Sequence, residues 1–210
     1  MSELLMPATV ASGMDATETD EALMLRYRDG DAEAFAVLYE RHKGALYRYF
    51  LRQCPTPAVT EELFQEVWMN LVRARERYTV QAKFTTYLFR LAHNRLIDYY
   101  RRQANVPMTT WETGQTGQTW ENETEQTVED IPLEPYHEPE NQAYLRKQIA
   151  RLLALIPELP APQREAFLLR EEAGMSLDQI AESTGVGREA VKSRLRYALA
   201  RLRRGLRDTI

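Results

Sequence analysis

The sequence predicts an all-α protein built from two small helical domains, and three observations point there. Apolar residues recur at threes and fours through most of the chain, and no segment alternates over several residues as a half-buried strand would. Charge falls in blocks. Residues 1–21 hold five acids and no base, 22–103 fourteen bases and nine acids, 104–140 nine acids and no base, and 141–210 thirteen bases and eight acids. The third block is also rich in Thr, Gln, Glu and Pro and poor in aliphatic residues. Such a composition cannot bury enough surface to offset the entropy of ordering. It reads as a flexible acidic linker, 104–140, between domains at 22–103 and 141–210, with 1–21 as a disordered N-terminal extension. The net charge of −4 therefore hides two basic modules.

In the first domain Asp31 offers an N-cap. Phe35, Leu38, Tyr39, Leu46, Tyr49 and Phe50 then repeat at helical spacing. Pro55 and Pro57 interrupt that helix. The pattern predicts a second helix from about Val59 to Arg75 and a loop over Tyr78–Lys83. A third helix follows, from about Thr85 to Arg102, burying Leu88, Leu91, Ala92, Leu96 and Tyr99. Asp98 is placed to pair with Arg102, four residues on. In the second domain a helix is predicted from about Asn141 to Leu155, then a proline-started helix ending at Gly174.

The stretch from Ser176 to Arg204 is the most specific. Ser176 and Gln179 make a capping box, and Leu177, Ile180 and Ala181 give an apolar face. Gly185 and Gly187 bracket Val186 and permit a tight turn with positive φ. In the last helix Val191, Leu195, Leu199, Leu202 and Leu206 share one side, while Arg188, Lys192, Ser193, Arg196 and Arg203 stay wet. From Arg188 to Arg207 there are eight bases against one acid, Glu189. A capped helix, a glycine turn and a cationic second helix form a helix-turn-helix suited to the DNA major groove.

Two further helices carry chemistry. Residues 60–78 set an apolar stripe (Leu63, Phe64, Val67, Trp68, Leu71, Val72) against an acidic, amide-rich side (Glu61, Glu62, Gln65, Glu66, Asn70), which suits a basic protein partner. Residues 83–102 interleave aromatics with cations, which suits single-stranded nucleic acid because rings stack on unstacked bases while cations hold phosphates. Other classes fall away. No stretch approaches the ~18 apolar residues of a membrane span. The N-terminus lacks the basic and apolar parts of a secretion signal. Cys54 is alone, so neither an internal disulfide nor a cysteine zinc cluster is expected. No nucleophile arrangement or phosphate loop is visible, so neither an enzyme nor a cofactor is expected, and the cytoplasm is the expected location.

At these residues the chain resembles a family. EELFQEVWMNL resembles region 2.2 of bacterial RNA polymerase sigma factors, and FTTYLFRLAHNRLIDYYRR their regions 2.3 and 2.4. The stretch from Leu159 to Arg204 resembles region 4. With no middle domain, the chain is similar to the extracytoplasmic-function (ECF) group. That resemblance implies a promoter-specificity subunit. Glu61, Glu62, Phe64, Gln65, Glu66, Trp68 and Asn70 would dock on the β′ clamp helices of core RNA polymerase. Tyr78, Lys83, Phe84, Thr85, Tyr87, Arg90, Asn94, Arg95, Asp98, Arg101 and Arg102 would bind and melt the minus-ten element, the loop holding a flipped-out base. Arg188, Glu189, Lys192, Ser193, Arg196 and Tyr197 would read the minus-thirty-five element in duplex promoter DNA. The second module would also touch the β flap, and an anti-sigma factor would cover both modules. Gly187 stands where family members often carry Ser, a weaker N-cap by a few tenths of a kcal/mol.

Reach is consistent with two sites. A 37-residue coil spans roughly 33 Å r.m.s. and at most about 120 Å. Elements about 25 base pairs apart lie roughly 80 Å apart. The alternative is a stand-alone helix-turn-helix activator with an N-terminal sensor module. It leaves the aromatic and basic 84–102 helix and the acidic 61–70 face without a task.

Overall fold

A computed structural model of the chain describes residues 18–103 and 139–207. All regular structure among the described residues is helical. The expected linker, with Trp111 and Trp120, lies outside the described residues except for 139–140.

The first module starts earlier than the charge blocks suggest. Helix α1 (Asp20–Arg28) is capped by Thr19, whose Oγ1 accepts from the Ala22 N–H at 3.3 Å. Its first-turn acids, Asp20 and Glu21, complement the helix dipole. Asp20 accepts from Arg41 at 2.8 Å and bonds His42 at 2.7 Å. The boundary expected at residue 22 thus falls inside a helix. Acids at 18–21 that read as part of a tail are caps and ion-pair partners. Gly30, at φ +107°, turns the chain into α2 (Ala32–Leu51), which Asp31 caps as expected. Helix α3 (Pro57–Ala74) begins on Pro57 behind the N-cap Thr56. A 3₁₀ turn (Arg75–Arg77) and the 78–83 loop lead to α4 (Phe84–Arg102).

These helices bury Leu38, Leu46, Phe50, Leu71, Leu88 and Leu96 completely. An aromatic layer joins α1, α2 and α3: Phe35 packs on Tyr27 at 4.8 Å and edge-on to Trp68 at 5.8 Å, and Tyr39 lies 5.0 Å from Trp68. Asp98 pairs with Arg95 at 3.7 Å, where the helical spacing suggested Arg102.

In the second module α5 (Pro139–Leu155) passes through a 3₁₀ turn (Ile156–Glu158) to α6 (Ala161–Glu171), α7 (Leu177–Thr184) and α8 (Arg188–Arg207). The capping box is formed: the Gln179 N–H donates to Ser176 Oγ at 3.3 Å, and the Ser176 N–H to Gln179 Oε1 at 2.8 Å. Gly185 is left-handed at φ +69°. Gly187 is not among the glycines with positive φ; its carbonyl instead accepts from the Val191 N–H, at the start of α8. One residue of positive φ suffices for the turn. At the far end of α8, Gly205 meets α5 so closely that a Cβ would lie 2.7 Å from a Leu155 methyl.

The two modules pack against each other. Helix α7 lies on α4, and α6 lies against α2 and α4. The chain is therefore described in a closed arrangement.

Candidate nucleic-acid interface

Three faces and one seam follow from this packing. On α3, Glu61, Glu62 and Gln65 are exposed, and Glu66 and Asn70 are half-buried beside them. Trp68 departs from the expected contact role: it is buried in the aromatic layer, and Phe64 is half-buried beside it, 6.3 Å away. These two rings support the acidic face from beneath. Met69 joins that face at 49% exposure, spaced three and seven residues from Glu66 and Glu62.

On α4 and its loop, Lys83, Asn94, Arg101 and Arg102 are exposed, and Thr85, Tyr87, Arg90, Arg95 and Asp98 are half-buried. Phe84 and Tyr78 are corrections. Phe84 is fully buried beside the His42 ring at 5.2 Å, and Tyr78 is buried against Tyr87 at 5.3 Å. Neither ring can stack on a base from there. Tyr87 keeps a half-exposed ring, and burial pushes its phenol above the ordinary value.

On α8, Arg188, Glu189, Lys192, Arg196 and Tyr197 lie at the surface, and Ser193 is half-buried. Arg188 reaches back to Asp178 on α7 at 3.0 Å, and Arg196 lies over the Tyr197 ring at 5.1 Å. The cations stay in water because Val191, Ala198 and Leu202 take the buried side.

The seam between modules centres on Glu165 of α6, which is 2% exposed. Its Oε1 accepts from the Tyr49 hydroxyl at 2.8 Å and bonds His93 Nδ1 at 2.6 Å. Arg194 of α8 adds positive charge near the same carboxylate. Burial pulls the His93 imidazole down, but the charge and hydrogen bond of Glu165 more than offset it, so the ring is held above its ordinary value of 6.5. Burial and the same carboxylate push the Tyr49 phenol well up. A second carboxylate, Glu172, is gripped by Arg48 at 2.6 Å and by Arg52. The Ser183 hydroxyl donates to the Thr86 carbonyl at 3.4 Å, and Arg90 stands 4.0 Å from Glu182. Part of the α4 face is thus covered by α7.

Sequence reasoning missed Glu165 and Arg194. Both interrupt apolar stripes: Glu165 sits between Pro162 and Leu169, and Arg194 between Val191 and Ala198. A charge on a buried stripe signals a partner on another element.

Comparisons with known proteins agree with this layout. The Sigma-70 region 2 family model matches residues 38–106, and the Sigma-70, region 4 model matches 149–202. The chain is 32% identical over 179 residues to the ECF RNA polymerase sigma factor SigL of Mycobacterium tuberculosis, covering 85% of this chain and 92% of that one. It is 28% identical to the ECF RNA polymerase sigma factor BldN of Streptomyces coelicolor, over 92% of this chain and 69% of that one. The fold is similar to CnrH, solved in complex with the cytosolic domain of CnrY, with a TM-score of 0.62, 20% identity, and coverage of 92% of this chain and 100% of that one. It is also similar to RpoE of Bartonella quintana, solved with the anti-sigma factor NepR, with a TM-score of 0.59, 17% identity, and coverage of 85% and 100%.

Proposed function

Because the chain belongs to the ECF group of RNA polymerase sigma factors, we propose that its three faces divide the work among core polymerase, the minus-ten element and the minus-thirty-five element. The protein is a promoter-specificity subunit of RNA polymerase, and its two matched regions bind core polymerase and promoter DNA. The observation that carries this function is the presence of both regions, in this order, on one chain. A stand-alone activator has no use for the first.

At residue level, Glu61, Glu62 and Gln65, with Met69 beside them, supply the docking face for the β′ clamp helices. Arg188, Lys192 and Arg196 stand clear of the core and reach the major groove of the minus-thirty-five element. Asn94, Arg101, Arg102 and Lys83 hold the minus-ten strand, with Tyr87 as a half-open ring at the start of the helix. Tyr144, Leu145, Ile149 and Leu153 leave an apolar stripe on α5 in water, which gives the β flap a surface to dock on. The two structural relatives were solved with a protein partner bound, an anti-sigma factor in one case, which supports such a partner here. No helix among the described residues is long and apolar enough to cross a membrane. The protein works in the cytoplasm because its polymerase and its promoters are there.

The closed arrangement cannot serve both promoter elements at once. Helix α4 has 19 residues, about 28 Å at ~1.5 Å per residue, and α7 lies against it. Elements roughly 80 Å apart along B-DNA require the modules to part. Reconstitution with bacterial core polymerase tests the function: run-off transcription from a defined promoter is expected, and failure to bind core polymerase refutes it.

A further inference from the structure

Helix α4 has no cap of its own. Lys83 precedes it without a side-chain acceptor, and its first turn holds no acid. A helix begins with N–H groups that lack intrahelical partners and with the positive end of its dipole. Glu21, in the first turn of α1, fills the gap. The Phe84 N–H donates to Glu21 Oε1 at 2.6 Å, across 63 residues of sequence. A carboxylate in this place satisfies an orphan donor and opposes the dipole together.

The opposite end of the 78–83 loop is anchored by burial. Tyr78 is buried, and its hydroxyl has no hydrogen-bond partner among the described residues. Burial first, and then the negative charge of Glu21 with contributions from Tyr87 and Asp20, pushes its phenol up to about 12. Between these two anchors Thr79, Val80, Gln81 and Lys83 are exposed, Val80 at 51%. The loop is therefore clamped at both ends and open in the middle. Attachment of α1 to the bundle does not depend on Glu21, because Asp20 already ties α1 to Arg41 and His42 of α2. Glu21 also lies outside the span that the region 2 family model matches, 38–106.

From this geometry we infer that Glu21 is a positioning residue for promoter melting: by capping α4 from another helix, it fixes the exit of the 79–83 loop that receives an unstacked minus-ten base. The inference rests on the proposed role of that loop. Glu21 touches no DNA itself and acts through the Phe84 amide.

The test uses the full chain with core polymerase and a duplex promoter carrying 2-aminopurine at the minus-ten position that unstacks. Glu21→Ala is expected to slow the fluorescence rise about tenfold, the loss typical of one charge-assisted hydrogen bond. Binding to core polymerase is expected to stay within about twofold, since a local loop change leaves that remote contact alone. Glu21→Gln keeps an acceptor oxygen and is expected to recover most of the rate. Hydrogen exchange at the Phe84 amide should accelerate in Glu21→Ala and not in Glu21→Gln. Wild-type melting by Glu21→Ala overturns the inference, as does an equal loss of core binding, which would mark a merely structural role. Gln81→Ala separates the two layers. If it melts normally, the proposed role of the loop fails; if it melts slowly while Glu21→Ala does not, only the role of Glu21 fails.

Discussion

The α4 face and the α8 face make an instructive pair. Both are cationic helices of about the same length, and both belong to DNA-binding regions. In the closed arrangement α8 keeps Arg188, Lys192 and Arg196 in water, whereas α4 has Thr86, Arg90 and His93 turned toward the second module. The surface proposed to read duplex DNA is open, and the surface proposed to melt the strand is partly covered. On that proposal closure would hinder melting before it hindered docking to duplex DNA, and the buried carboxylate at the seam, Glu165, is part of neither surface.

Removing that carboxylate is the strongest way to break the comparison. Glu165→Ala leaves His93 and Arg194 facing each other without their shared counter-charge, and breaking a buried pair of this kind costs about 3 kcal/mol or more. The closed population should collapse, read as increased separation between fluorophores on the two modules. An unchanged distance would mean that apolar contacts hold the seam. On the α8 side, Arg188→Ala, Lys192→Ala or Arg196→Ala should each weaken duplex binding. Base-reading positions lose about 1–3 kcal/mol of discrimination, while phosphate contacts lower affinity evenly across sequences. These changes should leave the distance between modules alone; if they move it, the two faces are not independent.

Acidity offers a finer probe. The groups facing His93 are Glu165 from α6, Tyr49 through that carboxylate, Arg194 from α8 and Arg101 along α4. With its imidazole held above the ordinary value of 6.5, His93 contributes closure that is complete below the parted-state value and is lost as pH rises through the raised one. As pH climbs from the ordinary histidine value of 6.5 upward, the closed fraction should fall, and His93→Gln should flatten the profile. A fraction that rises with pH would refute the sign. The smallest effect belongs to Arg90→Ala. Its pairing with Glu182 is largely solvated and 4.0 Å long, so closure should weaken by only about 0.2–1 kcal/mol. A greater loss in melting than in closure would place Arg90 on the DNA.

Features whose causes are local were legible in the sequence itself. The Ser176–Gln179 capping box, the Asp31 cap, the Gly185 turn and the wet side of α8 each depend on residues within a few positions of one another. The errors share a different cause. Phe84 read as a ring partner for bases because it stood among cations, and Tyr78 through the family resemblance, but α1 and α2 cover them from far upstream in the chain. Trp68 sat in the apolar stripe of its helix and gained a contact role only through the family resemblance, and α2 supplies its aromatic surroundings. Helix α1 escaped notice because its cap, Thr19, and its pairing acids, Glu18 and Asp20, lie in a block with no bases. Glu165 was invisible as a hub because Tyr49 and His93 belong to the other domain.

The seam's chemistry sets what happens after separation. A contact held by two carboxylates, an imidazole, a phenol and several guanidinium groups offers each of them a hydrate when water enters, so many of the newly wetted atoms prefer solvent to emptiness. Each half therefore meets water partly with atoms that water can hydrogen-bond, which lowers the cost of parting.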